Sequence, residues 1–474
     1  MNILMAAAEC APFCKTGGLG DVMGSLPKAL KKQGADVRVI MPKYGDIPQK
    51  FKDAMVFRML HTVQIGWRYQ HCGLFELEHE GVTYYFVDNE FYYRRAGFYG
   101  YIDDPERFAF FCQAVLELVP LLGFHPNVIH CHDWQTAMIP VFKHAHYAER
   151  AFYRVIRTVF TIHNLRYQGR FGKHTVQDYL NLDVNYYMQP DRLEYYDDVN
   201  WMKGAIVFSD VVTTVSPTYA EEIQSMHFGE GLHGLLTSKR ESLKGILNGI
   251  DDEYWDSNTD RYLVEPYKTS LPKKRKNKTA LQAELGLPVD DSIPMIAIVT
   301  RLVEQKGIDL ISCVFDEIAH TGAQIVLLGA GDYHYEEFFR HAASKYPASV
   351  SIQIKYDEGL AHRIYASCDM FLMPSAFEPC GIGQLIALRY LSIPIVRETG
   401  GLKDTVLPWK ADEGSGHGFT FIAYNAHDML KAIHAAVKAY ADQDQWTKIV
   451  KNASKLDFSW EASANTYIEL YQTL

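Results

Sequence analysis

Two glycine-rich turns lie near opposite ends of the chain, Lys15-Thr16-Gly17-Gly18-Leu19 and Glu378-Pro379-Cys380-Gly381, each where an apolar stretch gives way to a helical pattern. Small residues there let backbone N–H groups approach a ligand closely, and the helix that follows adds its positive end. Between the turns in sequence, again just after an apolar stretch, stand Arg301 and Lys306, a planar guanidinium and a compact ammonium. Such cations suit a pyrophosphate. The combination predicts one ligand, a diphosphate, held between two halves of the chain. On spacing alone Glu378 could equally be a capping carboxylate.

Other motifs carry less. The Lys15 turn lacks the GxxxxGK[ST] spacing of a Walker loop. A literal GxGxxG occurs at Gly229-Glu230-Gly231-Leu232-His233-Gly234, but no apolar strand precedes it and no acidic strand end follows at the right distance, so it is not read as a dinucleotide fingerprint. His130-Cys131-His132-Asp133 puts two histidines on one face of a strand, a pattern that reads as hydrogen-bonded histidines because no second ligand set accompanies it. The only DxD, Asp442-Gln443-Asp444, lies in a polar helical stretch and reads as solvated; no metal is expected.

The elements that must position these residues alternate in type. An apolar strand at residues 3–8, a helix from Gly20 or Asp21 to Gln33 stopped by Gly34, and a strand at 36–41 make a βαβ unit. Strands at 84–87, 128–131, 157–162 and 211–215 extend it into an open, doubly wound sheet. A second series, at 293–300, 324–328, 351–355, 370–373 and 394–396, predicts another. The seam falls at 244–251, giving an N-terminal domain over 1–244 and a C-terminal domain over 245–455. Residues 446–474 are expected to be amphipathic helix that closes the structure, the last part, 456–474, packing back on the first domain. Open α/β sheets bind ligands at the carboxyl ends of their strands.

The composition of the 474 residues is that of a globular protein with large cores, 48% hydrophobic and 22% charged. A net charge of −10 argues against a nucleic-acid partner. The basic run Lys273, Lys274, Arg275, Lys276 and Lys278 reads as a solvated helix start. No signal peptide and no run near the ~20 apolar residues of a membrane span is apparent, so a cytoplasmic protein without a membrane partner is expected. Eight cysteines without CxxC spacing read as reduced thiols.

Seven motifs in order carry a resemblance: Lys15-Thr16-Gly17-Gly18-Leu19, His132-Asp133-Trp134, Thr161-Ile162-His163-Asn164, Leu247-Asn248-Gly249-Ile250-Asp251, the segment 301–307, Glu378-Pro379-Cys380-Gly381 and Thr399-Gly400-Gly401-Leu402. Over essentially its whole length the chain resembles bacterial glycogen synthases and plant starch synthases. The resemblance implies a GT-B fold, two Rossmann-like α/β domains facing across a deep cleft. It also implies transfer of glucose from ADP-glucose to the non-reducing end of an α-1,4-glucan (glycogen or a maltooligosaccharide), with retention and no cofactor.

Carried onto this sequence, Lys15 and Gly18 would meet the donor from the N-terminal side, while Arg301 and Lys306 would hold the diphosphate in place of a metal. Glu378 would bond the glucose hydroxyls, helped by the N–H groups of Cys380 and Gly381, with His163 near the 6-hydroxyl and the reacting carbon. Tyr356 resembles the residue that stacks on adenine. Asp21, Tyr99, Asp133, Asn164 and Asn248 would contact sugar or acceptor. Ile386 stands where many related transferases carry a second Glu, an absence shared with glycogen and starch synthases; Gln135 and Gly383 depart from relatives at the edge of the site and leave acceptor preference open. Another GT-B transferase, using UDP-glucose or a small acceptor, and a glucan-binding regulator with a dead site remain alternatives.

Overall fold

The computed structural model describes all 474 residues and divides into two compact units, residues 1–248 with 460–474, and residues 249–459. The first unit holds β1 (Asn2–Ala6), β2 (Asp36–Pro42), β3 (Val56–Ile65), β4 (Arg68–His79), β5 (Val82–Asp88), β6 (Val128–His132), β7 (Arg157–Ile162), β8 (Arg170–Gly172), β9 (Glu194–Tyr195), β10 (Asp198–Asn200), β11 (Val211–Thr214) and β12 (Leu243–Gly245). Nine of them form one sheet in the order β12-β11-β7-β6-β1-β2-β5-β4-β3. It is parallel from β12 to β5, while β4 and β3 pair antiparallel on its edge. A strand covered on both faces must be apolar throughout, and Ile3, Leu4, Met5 and Ala6 are all fully buried.

From β1 the chain winds outward through β2 and β5, then returns to place β6 on the other side of β1. The winding therefore reverses between β1 and β6, and such a switch point leaves a crevice at the strands' carboxyl ends. The second unit repeats the arrangement. Its strands β13 (Met295–Val299), β14 (Gln324–Leu328), β15 (Val350–Gln353), β16 (Met370–Met373), β17 (Ile393–Arg397) and β18 (Phe419–Phe421) form a wholly parallel sheet in the order β15-β14-β13-β16-β17-β18. Here the reversal lies between β13 and β16.

The predicted alternation of strands is present with ends shifted by a few residues. The first helix, Gly18–Lys32, starts two or three residues earlier than expected and buries Leu19, Val22, Met23, Leu26 and Leu30 at helical spacing. Gly34, at φ +88°, lies just beyond its end. The β3–β4 hairpin, the small antiparallel sheet β8-β10-β9 and β18 have no counterpart in the sequence expectation. In β3 the exposed Val56, Phe57 and Leu60 blur the alternation that marks a half-buried strand.

Two expectations need correction. The C-terminal stretch is two helices, Gln443–Ala453 and Trp460–Gln472. Between them the Asp457 carboxylate accepts the N–H of Ser459 at 2.9 Å and the Phe458 carbonyl accepts that of Ile250 at 2.9 Å, so side-chain and strand-like bonds replace the helical ladder. The second of these helices belongs to the first unit, where Ser463 donates to the Leu247 carbonyl at 2.7 Å.

The basic run is not uniformly solvated. On the helix Leu271–Glu284, Lys274 and Lys278 face inward and are 3% and 1% exposed. Lys274 Nζ donates to the carbonyls of Tyr365, Ala366 and Tyr390 at 3.2, 3.1 and 2.9 Å and to Ser392 Oγ at 2.9 Å, and so caps the carboxyl ends of two helices, Glu358–Ser367 and Gly383–Arg389. An ammonium suits those negative ends, although burial lowers its pKa to about 8. Lys278 pairs at 2.7 Å with Asp369, which also accepts the N–H of Met295. Charge in this run is therefore a core device, invisible to a count of lysines. Replacing Lys274 with Met removes four buried hydrogen bonds and leaves the three carbonyls only the hydroxyls of Tyr267 and Ser392, and we expect a stability loss of about 1–3 kcal/mol. Lys273→Met, at an exposed position, should stay within about 0.5 kcal/mol of the parent. Equal thermal melts for the two variants would refute this.

Candidate functional site

The first glycine turn owes its shape to a residue the sequence expectation did not include. Glu9, 4% exposed, turns its carboxylate inward and accepts the N–H and hydroxyl of Thr16 at 2.5 and 2.6 Å, the N–H of Gly17 at 3.3 Å and the hydroxyl of Tyr99 at 2.8 Å. Four donors on one buried carboxylate fix the backbone of residues 16–17. Tyr99, expected as a sugar contact, thus braces the turn through Glu9. Lys15 sits differently. It pairs with Asp21 at 2.6 Å, with side chains 47% and 39% exposed, so solvent screens the pair to about 1 kcal/mol or less and the ammonium is easily recruited by an anion. A Cβ on Gly20 would meet the stem of Lys15 at 2.9 Å, so glycine there lets the lysine cross the helix start; Gly18 opens the helix itself.

The carboxyl ends of β6 and β7 carry the next group. Asp133, at φ +58°, accepts the backbone N–H of His163 at 2.8 Å, joining the two strand ends. Burial raises the Asp133 pKa to about 7 against the pull of the His163 and Asn164 N–H groups. Burial also lowers His163 to about 3, so its imidazole is neutral near pH 7. Its Nε2 lies 3.0 Å from His132 Nδ1. Asn164 accepts the N–H of Arg166 at 3.0 Å, and the buried Asn248 keeps its Oδ1 without a protein partner.

In the second unit the loop after β13 carries Arg301, exposed and without a protein partner, and Lys306, which meets Glu378 at 2.6 Å. Glu378 lies in the loop after β16, the strand beside β13, and its side chain is 8% exposed. Ser375 donates to the same carboxylate at 3.0 Å. The two loops are stitched together where the Gln305 carbonyl accepts the N–H of Ala376 at 2.9 Å, and Gly307, at φ +73°, lies so close to Pro374 that a side chain would collide with its carbonyl.

The Thr399-Gly400-Gly401 turn backs this loop. The Gly401 N–H donates to the carbonyls of Glu378 and Pro379 at 3.1 and 3.2 Å, and a Cβ on Gly400 or Gly401 would run into the carbonyl oxygen of Glu378 or Cys380. Cys380 is buried, and Gly381 adopts φ +75°. Tyr356 is 88% exposed just before the helix Glu358–Ser367 and contacts none of the other candidates.

Within the first unit the structure therefore groups Lys15 with Asp21, Tyr99 with the turn, and Asp133 with His163 and Asn164. Within the second it groups Lys306, Glu378, Cys380 and Gly381 on adjoining loops, with Arg301 at the head of one of them. Glu9 is an added residue, signalled only by an acidic residue just past a buried strand, and His132, read from sequence as a hydrogen-bonded strand histidine and part of the His132-Asp133-Trp134 motif, joins His163. No cluster of three or more His, Cys, Asp or Glu side chains is arranged to hold a metal, and no helix is long and apolar enough to cross a membrane. Residues 229–234 lack a dinucleotide-binding context, as read from the sequence: turns rather than a strand precede the helix His233–Ser238.

Residues 2–238 match the family model of the starch synthase catalytic domain, and residues 280–455 that of glycosyl transferases group 1. The chain is 51% identical over 475 aligned residues to the glycogen synthase of Anoxybacillus flavithermus, covering all of this chain and 98% of that one. It is also 51% identical to that of Alkaliphilus metalliredigens, with both chains fully covered. The catalytic domain of starch synthase IV from Arabidopsis thaliana, solved with ADP and acarbose, superposes with a TM-score of 0.91 at 38% identity, covering all of this chain and 98% of that one. Sucrose-phosphate synthase from Thermosynechococcus elongatus, at 17% identity and a TM-score of 0.61 with 100% and 98% coverage, shares the fold. With its two Rossmann-like units and its site loops at both switch points, the chain belongs to the glycogen and starch synthase family of GT-B glycosyltransferases.

Proposed function

We propose that this chain is a cytoplasmic enzyme that transfers glucose from ADP-glucose to the non-reducing 4-hydroxyl of an α-1,4-glucan with retention of configuration. The observation that carries it is the Lys306–Glu378 pair at 2.6 Å, with Arg301 at the head of the loop that bears Lys306. One site thus offers cations for a departing diphosphate and a carboxylate for sugar hydroxyls. ADP and acarbose in the related starch synthase IV structure support an adenosine diphosphate donor and a glucan acceptor here.

In the reaction the bond from the anomeric carbon to the diphosphate breaks and a bond to the acceptor oxygen forms on the same face. The leaving diphosphate takes the acceptor's proton. Arg301 and Lys306 neutralise the charge that develops on the diphosphate, so no metal ion and no cofactor is needed for that task. Lys15, freed from its screened pair with Asp21, adds a third cation, with Gly18 at the positive end of its helix. Glu378 binds glucose hydroxyls and stabilises the oxocarbenium-like carbon electrostatically, the N–H groups of Cys380 and Gly381 assist it, and Tyr356 stacks on adenine. Asp21, Asp133, Asn164 and Asn248 contact sugar or acceptor.

Purified protein given glycogen and either ADP-glucose or UDP-glucose should elongate the polymer from the ADP sugar, through a new α linkage by NMR, and EDTA should not slow it. Elongation only from UDP-glucose, or only with metal, overturns the assignment. Arg301→Ala or Lys306→Ala should each lower turnover by ~10² to 10³, roughly 3 to 4 kcal/mol. Glu378→Gln separates the two tasks of the site, since removing its charge abolishes the carboxylate's help to the sugar yet releases Lys306 to the diphosphate. ADP should then bind at least as tightly as to the parent, by calorimetry, while turnover collapses. Loss of ADP affinity together with turnover would count against this division.

A further inference from the structure

Three histidines gather at the ends of β6 and β7, and they are not equivalent. His130 and His132, two residues apart on β6 and both fully buried, have ring centroids 4.1 Å apart. His130 is satisfied at both nitrogens, Nδ1 by the hydroxyl of Tyr471 at 2.7 Å and Nε2 by that of Thr161 at 2.5 Å. His132 has one partner, His163, and its own Nε2 is buried with none.

One proton serves the contact between His132 Nδ1 and His163 Nε2, and burial keeps both rings neutral. If His163 donated it, His132 would have to carry its proton on Nε2, leaving a buried N–H with nothing to accept it. If His132 donates, the stranded atom is a bare acceptor. Orphaned buried N–H groups are the rarer of the two among backbone groups, and the same desolvation argument applies to an imidazole. The second arrangement leaves His163 protonated on Nδ1, a nitrogen without a protein partner on a half-buried residue whose backbone Asp133 already pins.

We propose that His132 is a positioning residue that donates its Nδ1 proton to His163 Nε2 and holds His163 in the Nδ1–H tautomer, with that N–H aimed at the transferred sugar. The sugar as recipient rests on the glycosyl-transfer function proposed above, whereas the tautomer does not. His132 then acts through His163 and touches no substrate. It also gives a reason for a histidine at this buried place, where a leucine would pack as well but could fix no proton.

The test is imidazole 15N NMR of histidine-labelled protein, with the His163 signals identified by their loss in His163→Ala. In the parent His163 should be protonated on Nδ1. In His132→Leu it should shift toward the Nε2–H form, and kcat should fall about 10- to 100-fold with KM for ADP-glucose changed less than about threefold, the scale of losing an orienting partner. His132→Asn, whose amide nitrogen reaches the place of Nδ1, should recover the tautomer and much of kcat, and His132→Gln should not. Should His132→Leu fail to fold, the parent spectrum and the Asn and Gln pair still decide. Nε2 protonation in the parent, or an unchanged tautomer and kcat in His132→Leu, overturns the proposal. A parent that elongates glucan from no nucleotide sugar defeats the glycosyl-transfer function and leaves the tautomer measurement standing.

Discussion

The contact between Lys306 and Glu378 sets the terms for the second unit. A carboxylate 8% exposed is costly to leave unpaired, and taking one partner from a buried pair typically costs about 3–5 kcal/mol. Its two halves come from loops 72 residues apart in sequence, and they meet because β13 and β16 are neighbours across the reversal of the sheet. Strand order is thus the device that brings the charges together. The glycines at 307, 400 and 401 follow from it, since a side chain at any of them would push apart backbones that must lie in contact.

The first unit meets the same need by the opposite division. Glu9 is the buried charge, but it points at backbone N–H and hydroxyl groups instead of a cation, and it stiffens the turn after β1. The cation, Lys15, is left outside in a screened pair. One unit therefore holds its ammonium in place with a carboxylate, and the other holds its backbone in place and lets the ammonium move. Under the proposed function, a diphosphate at Lys15 would displace a weak partner, whereas at Lys306 it would compete with a strong one, a cost that Arg301 would lessen.

How much of this was legible depended on whether the signal was local. The parallel strands could be read because burial on both faces forces unbroken apolar runs, and β7, β14 and β16 sit at the residues expected. The glycine turns could be read because close backbone approach demands glycine. Glu9 could not, since its partners include Tyr99, 90 positions away. Lys274 and Lys278 were misread because lysines at a helix start are solvated in most settings; that two helix ends converge on Lys274 is a property of the assembled unit. The break at residues 454–459 escaped because the extended segment there is held by a bond from the distant Ile250 N–H to the Phe458 carbonyl.

The histidines complete the electrostatic argument. Glycosyl transfer builds positive charge on the anomeric carbon while negative charge builds on the diphosphate, so a cation placed wrongly is as harmful as one missing. Burial keeps His130, His132 and His163 neutral, so under the proposed function they would offer hydrogen bonds without opposing the developing carbocation. The cations of the proposed function are Lys15 in the first unit and Arg301 and Lys306 in the second, each at the carboxyl end of a strand bordering a switch point of its own sheet, and the carboxylate of Glu378 lies with Lys306. An imidazolium at His163 would supply the hydrogen bond proposed for the sugar at the wrong charge. A neutral ring whose proton is fixed by a second neutral ring would avoid that conflict, which is a physical reason to bury His130 and His132 and half-bury His163 where solvent would have protonated them more easily.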